Sequence, residues 1–183
     1  TAVENLARIR KLVARAEADY GRAAGSAHLV AVSKTFPAEA VLPVLEAGQP
    51  LFGENYVPEA KTKWPALRER FPHASVHMIG PLQSNKAGEA VRLFDAVQSL
   101  DRESLAKELA KEIQKAGRAP ELFVQVNTGS EPQKGGVDPA EVRMMLSESL
   151  EMVGAYERPL SLSTIVTVRP LCPRLFRPSN AMP

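Results

Sequence analysis

HLVAVSKTFPAEAVLPVLEAGQPLFGEN, residues 28–55, contains the unit that decides the fold. Its apolar run from Leu29 to Val32 is too short for a helix and reads as a buried strand that finishes in Ser33 and Lys34. Pro37 stands where the start of a helix tolerates proline, AEAVLPVLEAG follows, and Gly48 closes it. Pro43 is expected to kink or shorten that helix, because it lacks the N–H a helix interior uses. Leu51 and Phe52 then open a second strand that runs into Gly53, Glu54 and Asn55. Strand, helix and strand in this order make a parallel βαβ unit.

The unit repeats in both directions along the chain. Upstream, Leu6, Ile9, Leu12, Val13 and Ala16 recur at helical spacing, which predicts a leading helix from Ala2 to about Ala24 with a stop at Gly25. Downstream, a helix between Asn55 and Arg70 is qualified by Pro58 and Pro65 and leads to a third strand, SVHMIG, from Ser75. A helix from about Ser84 to Leu93 precedes DAVQS, and LDRESLAKELAKEIQKAG places Leu105, Leu109 and Ile113 on one helical face. ELFVQVN reads as the fifth strand and Pro139 to about Leu150 as a further helix. Strands begin near residues 28, 51, 75, 95 and 121. The fold class is therefore α/β, and the even spacing favours a (β/α) barrel over an open sheet only modestly, because both architectures use the same unit. Lys34, Glu54, Asn55, Gly80, Ser99 and Asn127 fall at C-terminal strand ends, the face where barrels build their sites.

The pattern stops near Leu150. Residues 1–150 form the expected barrel portion, and 151–183 a Pro- and Arg-rich tail in which only LSLSTIVTV, Leu160 to Val168, resembles a strand. Five of the chain's 15 prolines fall in that tail, where they interrupt any helix or ladder. Six strands at most can be counted, so the barrel is expected to be incomplete at its C-terminal end. The tail's composition is that expected of a shifted reading frame or of an alternative or truncated terminus.

At 183 residues, 44% hydrophobic and 24% charged, the chain has the composition of one globular domain and lacks that of disordered or collagen-like classes. Its net charge of +2 comes from the tail, where four arginines face two glutamates; the remaining 19 cationic and 19 acidic side chains cancel. A neutral body offers no basic face to nucleic acid or to an anionic membrane, so neither partner is expected. No run reaches the length of a membrane span, and the N-terminal segment lacks the apolar stretch of a secretory signal. The single cysteine, Cys172, has no intrachain partner and no Cys/His cluster has ligand spacing, so a cytoplasmic protein without a metal is expected.

Lys34 is the leading chemical candidate. At the mouth of a barrel an ammonium is poorly solvated, and a neutral amine there attacks an aldehyde to give a Schiff base. A solvated lysine that merely ends a strand is the alternative. Asn55 could bond a cofactor or cap the following helix. His77 alternates with Met78, so one of the two enters the barrel; a hydrogen-bonded structural role competes with cofactor contact. Lys134, in EPQKGG, could relay an aldehyde or sit solvated in its loop. Gly135 and Gly136 belong to no nucleotide-binding pattern.

AVSKTFP (Ala31 to Pro37), FGENYVPEA (Phe52 to Ala60), HMIGPLQSNK (His77 to Lys86) and VNTGSEPQKGGV (Val126 to Val137) together resemble the pyridoxal phosphate homeostasis protein family. The resemblance spans roughly Leu6 to Val142. It implies a (β/α)8 barrel of the alanine-racemase type without the racemase's second domain, and pyridoxal 5'-phosphate held as an aldimine on Lys34. It further implies a carrier or regulator of vitamin B6 and not an enzyme, with PLP-dependent apoenzymes as recipients. Pro58 stands where the family usually has Gln, and Val76 where it has Trp. The family's serine- and glycine-rich phosphate cradle and its late VRIG-like strand have no counterpart here, and the role of that strand's arginine does not carry over to Arg169. The rival reading is a Schiff-base enzyme such as an amino-acid racemase. Such an enzyme needs an acid or base opposed to the lysine, and Tyr56 is too near in sequence to be assigned that part. A third reading is a truncated, weakly binding family member.

Overall fold

A computed structural model describes residues 1–129 and 135–145. In chain order its elements are α1 (Ala2–Asp19), β1 (Ala31–Val32), α2 (Ala38–Glu46), β2 (Leu51–Glu54), α3 (Val57–Arg70), β3 (Ser75–Met78), a 3-10 turn (Ser84–Lys86), α4 (Ala87–Leu93), β4 (Ala96–Leu100), α5 (Glu103–Ala116) and β5 (Glu121–Val124). The five strands are parallel and lie in the order β1-β2-β3-β4-β5. A doubly wound sheet reverses its order at a switch point, whereas a barrel adds each strand beside the last. Successive helices also pack on one another, α1 on α2 through to α4 on α5. This one-directional winding is that of a barrel wall.

Strand periodicity divides the wall into two faces. Phe52 registers with Val76, and Met78 with Val97; these side chains face the helices and are buried. Val32, Gly53, His77, Ala96 and Glu121 form a register row on the opposite, inner face. The outer core is completed by Val57, Ala60, Trp64 and Leu67 of α3, Ala90 and Val91 of α4, and Leu105, Leu109 and Ile113 of α5. Each buried Val, Leu or Ile among them contributes roughly 1.5–3 kcal/mol by leaving water. The α5 helix follows its predicted stripe and ends where Gly117 adopts φ +60°.

Several elements are shorter than their patterns predict. The leading helix stops at Asp19, not near Ala24, because the Glu17 carboxylate turns the chain by accepting the N–H groups of Gly25 (2.9 Å) and Ala27 (2.6 Å). β1 comprises only Ala31 and Val32: Leu29 gives its carbonyl to Gln49 Nε2 instead of to a ladder. The helix expected from Ser84 begins as a 3-10 turn, and β5 stops at Val124, after which Val126 bridges in parallel to Val137. Residues 142–145 are helical. Residues 139–141, expected to begin that helix, are turn; its part beyond 145, and the whole tail from Glu151 to Pro183, lie outside the described residues.

Two glycines give opposite expectations. A Cβ at Gly80 would lie 2.5 Å from the Asn55 carbonyl oxygen and 2.7 Å from its Cα, both backbone atoms that cannot yield locally. At Gly88, within α4, it would meet the tip of the Glu112 side chain at 2.6 Å. Gly80→Ala should destabilise by about 1–3 kcal/mol, whereas Gly88→Ala should be neutral or stabilising through up to about 1 kcal/mol of helix propensity. Urea denaturation midpoints check both.

Candidate functional site

The parallel register carries every strand's C-terminal end to one mouth. Lys34 and Asn55 lie two positions beyond Val32 and Gly53, the inner-facing residues that β1 and β2 pair side by side. Lys34 follows β1 in a turn and is exposed, and among the described residues no hydrogen bond or ion pair occupies its amine. Asn55 is half-buried, and its side chain caps nothing: Tyr56 is the N-cap of α3, without a side-chain bond. Of the two roles open to Asn55, helix capping is therefore not the one it performs. His77 lies one inner-facing step deeper, about 7 Å along the strand.

His77, and not Met78, enters the barrel, and its ring is held at both nitrogens. Gln98 Nε2 lies 2.8 Å from Nδ1, and Ser75 Oγ lies 3.2 Å from Nε2. With the Gln98 amide donating, Nδ1 accepts and the proton sits on Nε2, the neutral tautomer. Burial lowers the His77 pKa below its ordinary 6.5, opposed by the more distant carboxylates of Asp95 and Glu121. Lys134 lies outside the described residues. The structure thus brings Lys34 and Asn55 to neighbouring strand ends and sets His77 beneath them, already hydrogen-bonded.

The loop that carries Lys34 is fastened from behind. Glu54, fully buried on the helix side of β2, accepts at Oε1 from Ser33 Oγ (2.7 Å), Trp64 Nε1 (2.9 Å) and Lys63 Nζ (2.7 Å). Lys63, itself buried, also donates to the carbonyls of Ser33 (2.8 Å) and Phe36 (3.0 Å) and to Glu59 Oε1 (3.2 Å). Glu59 in turn accepts the N–H of Thr35 at 2.6 Å. Trp64 packs on Phe52 with ring centroids 5.0 Å apart. Lys63 was not among the candidates drawn from sequence. Two features there could have revealed it: its spacing of four from Glu59, and its place beside the stripe Val57, Ala60, Trp64 and Leu67 that α3 buries.

The chain belongs to the family described as alanine racemase, N-terminal domain, whose model matches residues 5–167. That match passes the boundary expected at Leu150. Within this family the chain is similar to proteins named pyridoxal phosphate homeostasis protein. It is 39% identical over 141 residues to the one from Vibrio cholerae, covering 76% of this chain and 60% of that protein. Among solved structures, PipY of Synechococcus elongatus PCC7942 without PLP matches at 38% identity and a TM-score of 0.71, covering 83% of this chain and 66% of that one. The structure of PipY with PLP bound matches at 37% identity and 0.69, over 83% and 65%. The chain thus spans somewhat less than two thirds of these relatives. No helix among the described residues is long and apolar enough to cross a membrane.

The depressed pKa of His77 has a consequence for stability. On acidification the unfolded chain takes up the proton first, so His77's contribution is complete above about pH 6.5 and is lost as the pH falls from there through the folded-state value. Denaturation midpoints of the native chain should therefore drop between about pH 7.5 and pH 5.5, and His77→Gln should shrink that drop.

Proposed function

We propose that this chain binds pyridoxal 5'-phosphate, holds it as a Schiff base on Lys34, and stores and delivers it in vitamin B6 homeostasis without turning over a substrate. The observation that carries this reading is an exposed amine with no partner among the described residues, at the end of the first strand of an alanine-racemase-type barrel. The residues fit the ligand's aldehyde end. Lys34 supplies the attacking amine, the aldehyde carbon accepts it, and the carbonyl oxygen leaves as water. The uncapped Asn55 amide stands at the adjacent strand end to orient the ring. His77 supports this floor from below and keeps its hydrogen bonds to Ser75 and Gln98. Lys134 remains a candidate contact at the mouth through the EPQKGG loop. The relatives' names and the PLP-bound PipY structure support the choice of ligand, and the homeostasis name supports binding over turnover. PLP-dependent apoenzymes as recipients and a cytoplasmic setting complete the reading, the latter supported by a lone cysteine.

The test is a titration with PLP followed by visible absorption, borohydride reduction and peptide mapping. Reduced label on Lys34 is the expected result, and label on Lys86 or Lys61 with Lys34 unmodified would refute it. Lys34→Ala should abolish the absorbance and leave the denaturation midpoint within about 0.5 kcal/mol of the parent, since an exposed lysine adds little to packing.

A further inference from the structure

We infer that Glu59 is a positioning residue for Lys34: through Thr35 and Lys63 it holds the Ser33–Phe36 loop in the one conformation that presents the Lys34 amine at the mouth. This rests on the proposed role of Lys34. The first observation is backbone strain. Thr35, the residue after the lysine, has φ +65°, the only non-glycine at positive φ among the described residues. A β-branched side chain in that region is disfavoured and persists only where the surroundings impose it.

The second observation is what imposes it. Ser33 N–H donates to the Gly53 carbonyl (3.0 Å), which seats the start of the loop on β2, and Phe36 N–H closes a turn onto the Ser33 carbonyl (3.2 Å). The Lys63 ammonium bridges the Ser33 and Phe36 carbonyls across that turn. Thr35 N–H points out of the turn toward α3, and Glu59 accepts it. The same Glu59 oxygen also accepts from Lys63, so one carboxylate joins the strained peptide to the buried cation. Lys34 is thus clamped at the residues on either side, and its own side chain is left free. Lys63 is not a rival nucleophile, since its ammonium is shared among two carboxylates and two carbonyls on the helix side of the wall.

Glu59 is suitable for testing because it is partly exposed, whereas Glu54 and Lys63 are buried and their loss threatens the fold. Glu59→Ala removes the acceptor, and Glu59→Gln keeps an oxygen in the same place without the charge. Three quantities would be compared in the native chain and both variants: PLP affinity from the absorbance titration, reductive methylation of Lys34 by formaldehyde relative to Lys11, and amide hydrogen exchange at Thr35. The expected result for Glu59→Ala is about a tenfold loss of PLP affinity, the scale of one hydrogen bond to a charged group, with faster exchange at Thr35. Formaldehyde labelling should be unchanged, because a small aldehyde needs an accessible amine and not a placed one. Glu59→Gln should restore most of the affinity and the slow exchange. Native affinity in Glu59→Ala, or a loss that Glu59→Gln does not recover, would overturn the inference while leaving Lys34 as the attachment site. Label found on a different lysine in the native chain would overturn the reading of Lys34 and this inference together.

Discussion

The buried ion pair of Glu54 and Lys63 is the constraint on which the mouth of this barrel depends. Removing two charges from water costs several kcal/mol per ion, and mutual attraction offsets that only when further hydrogen bonds satisfy both groups. Here they do. The Glu54 oxygen that meets Lys63 also receives the Ser33 hydroxyl and the Trp64 indole, and the ammonium spreads over Glu59 and two loop carbonyls. The pair therefore joins β2, α3 and the loop after β1. An apolar replacement of similar volume could fill the space, but it could not hold two carbonyls of a strained turn.

This arrangement divides labour across the two faces of the wall. The helix side carries the ion pair, the indole and the aliphatic core, and is rigid because it is packed. The inner side carries the amine of Lys34, the amide of Asn55 and, deeper, the paired ring of His77, the groups that the proposed function assigns to a ligand. Because β-strand side chains alternate, Ser33 can be anchored in the wall while its neighbour remains free.

The opposite end of the strands has a different task. Asp95, just before β4, accepts the Val76 N–H at 2.8 Å and pairs with both Arg68 and Arg118. Arg68 also reaches the Leu93 carbonyl (2.8 Å), and Arg118 the Val91 carbonyl, so the C-terminal ends of α3 and α4 are tied to the base of the sheet. Burial lowers the Arg68 pKa, and the Asp95 carboxylate opposes that shift. Among the described residues this base is a structural lock, which agrees with the general split of barrels into a stabilising end and a functional end.

The amino-acid sequence alone determined the element order, the parallel winding and the location of Lys34 at a strand end. These depend on local periodicity and on proline and glycine punctuation, and both are short-range. The shared mouth of Lys34 and Asn55 also followed, because parallel strands of one sheet bring their C-terminal ends together. Tertiary structure decided the rest. Alternation left open whether His77 or Met78 enters the barrel, and the register of β3 against β2 and β4 settled it in favour of His77. Asn55 was equally suited to capping, until the chain placed Tyr56 at the start of α3. The leading helix stopped early because Glu17 found backbone donors eight and ten residues away. The Glu54–Lys63–Glu59 clamp brings together residues from β2 and α3 with the turn at Ser33–Phe36, roughly two dozen residues earlier in the chain. Its members look ordinary one by one, and only burial, which no local pattern measures, turns a lysine and two glutamates into a fixture for the turn around Lys34.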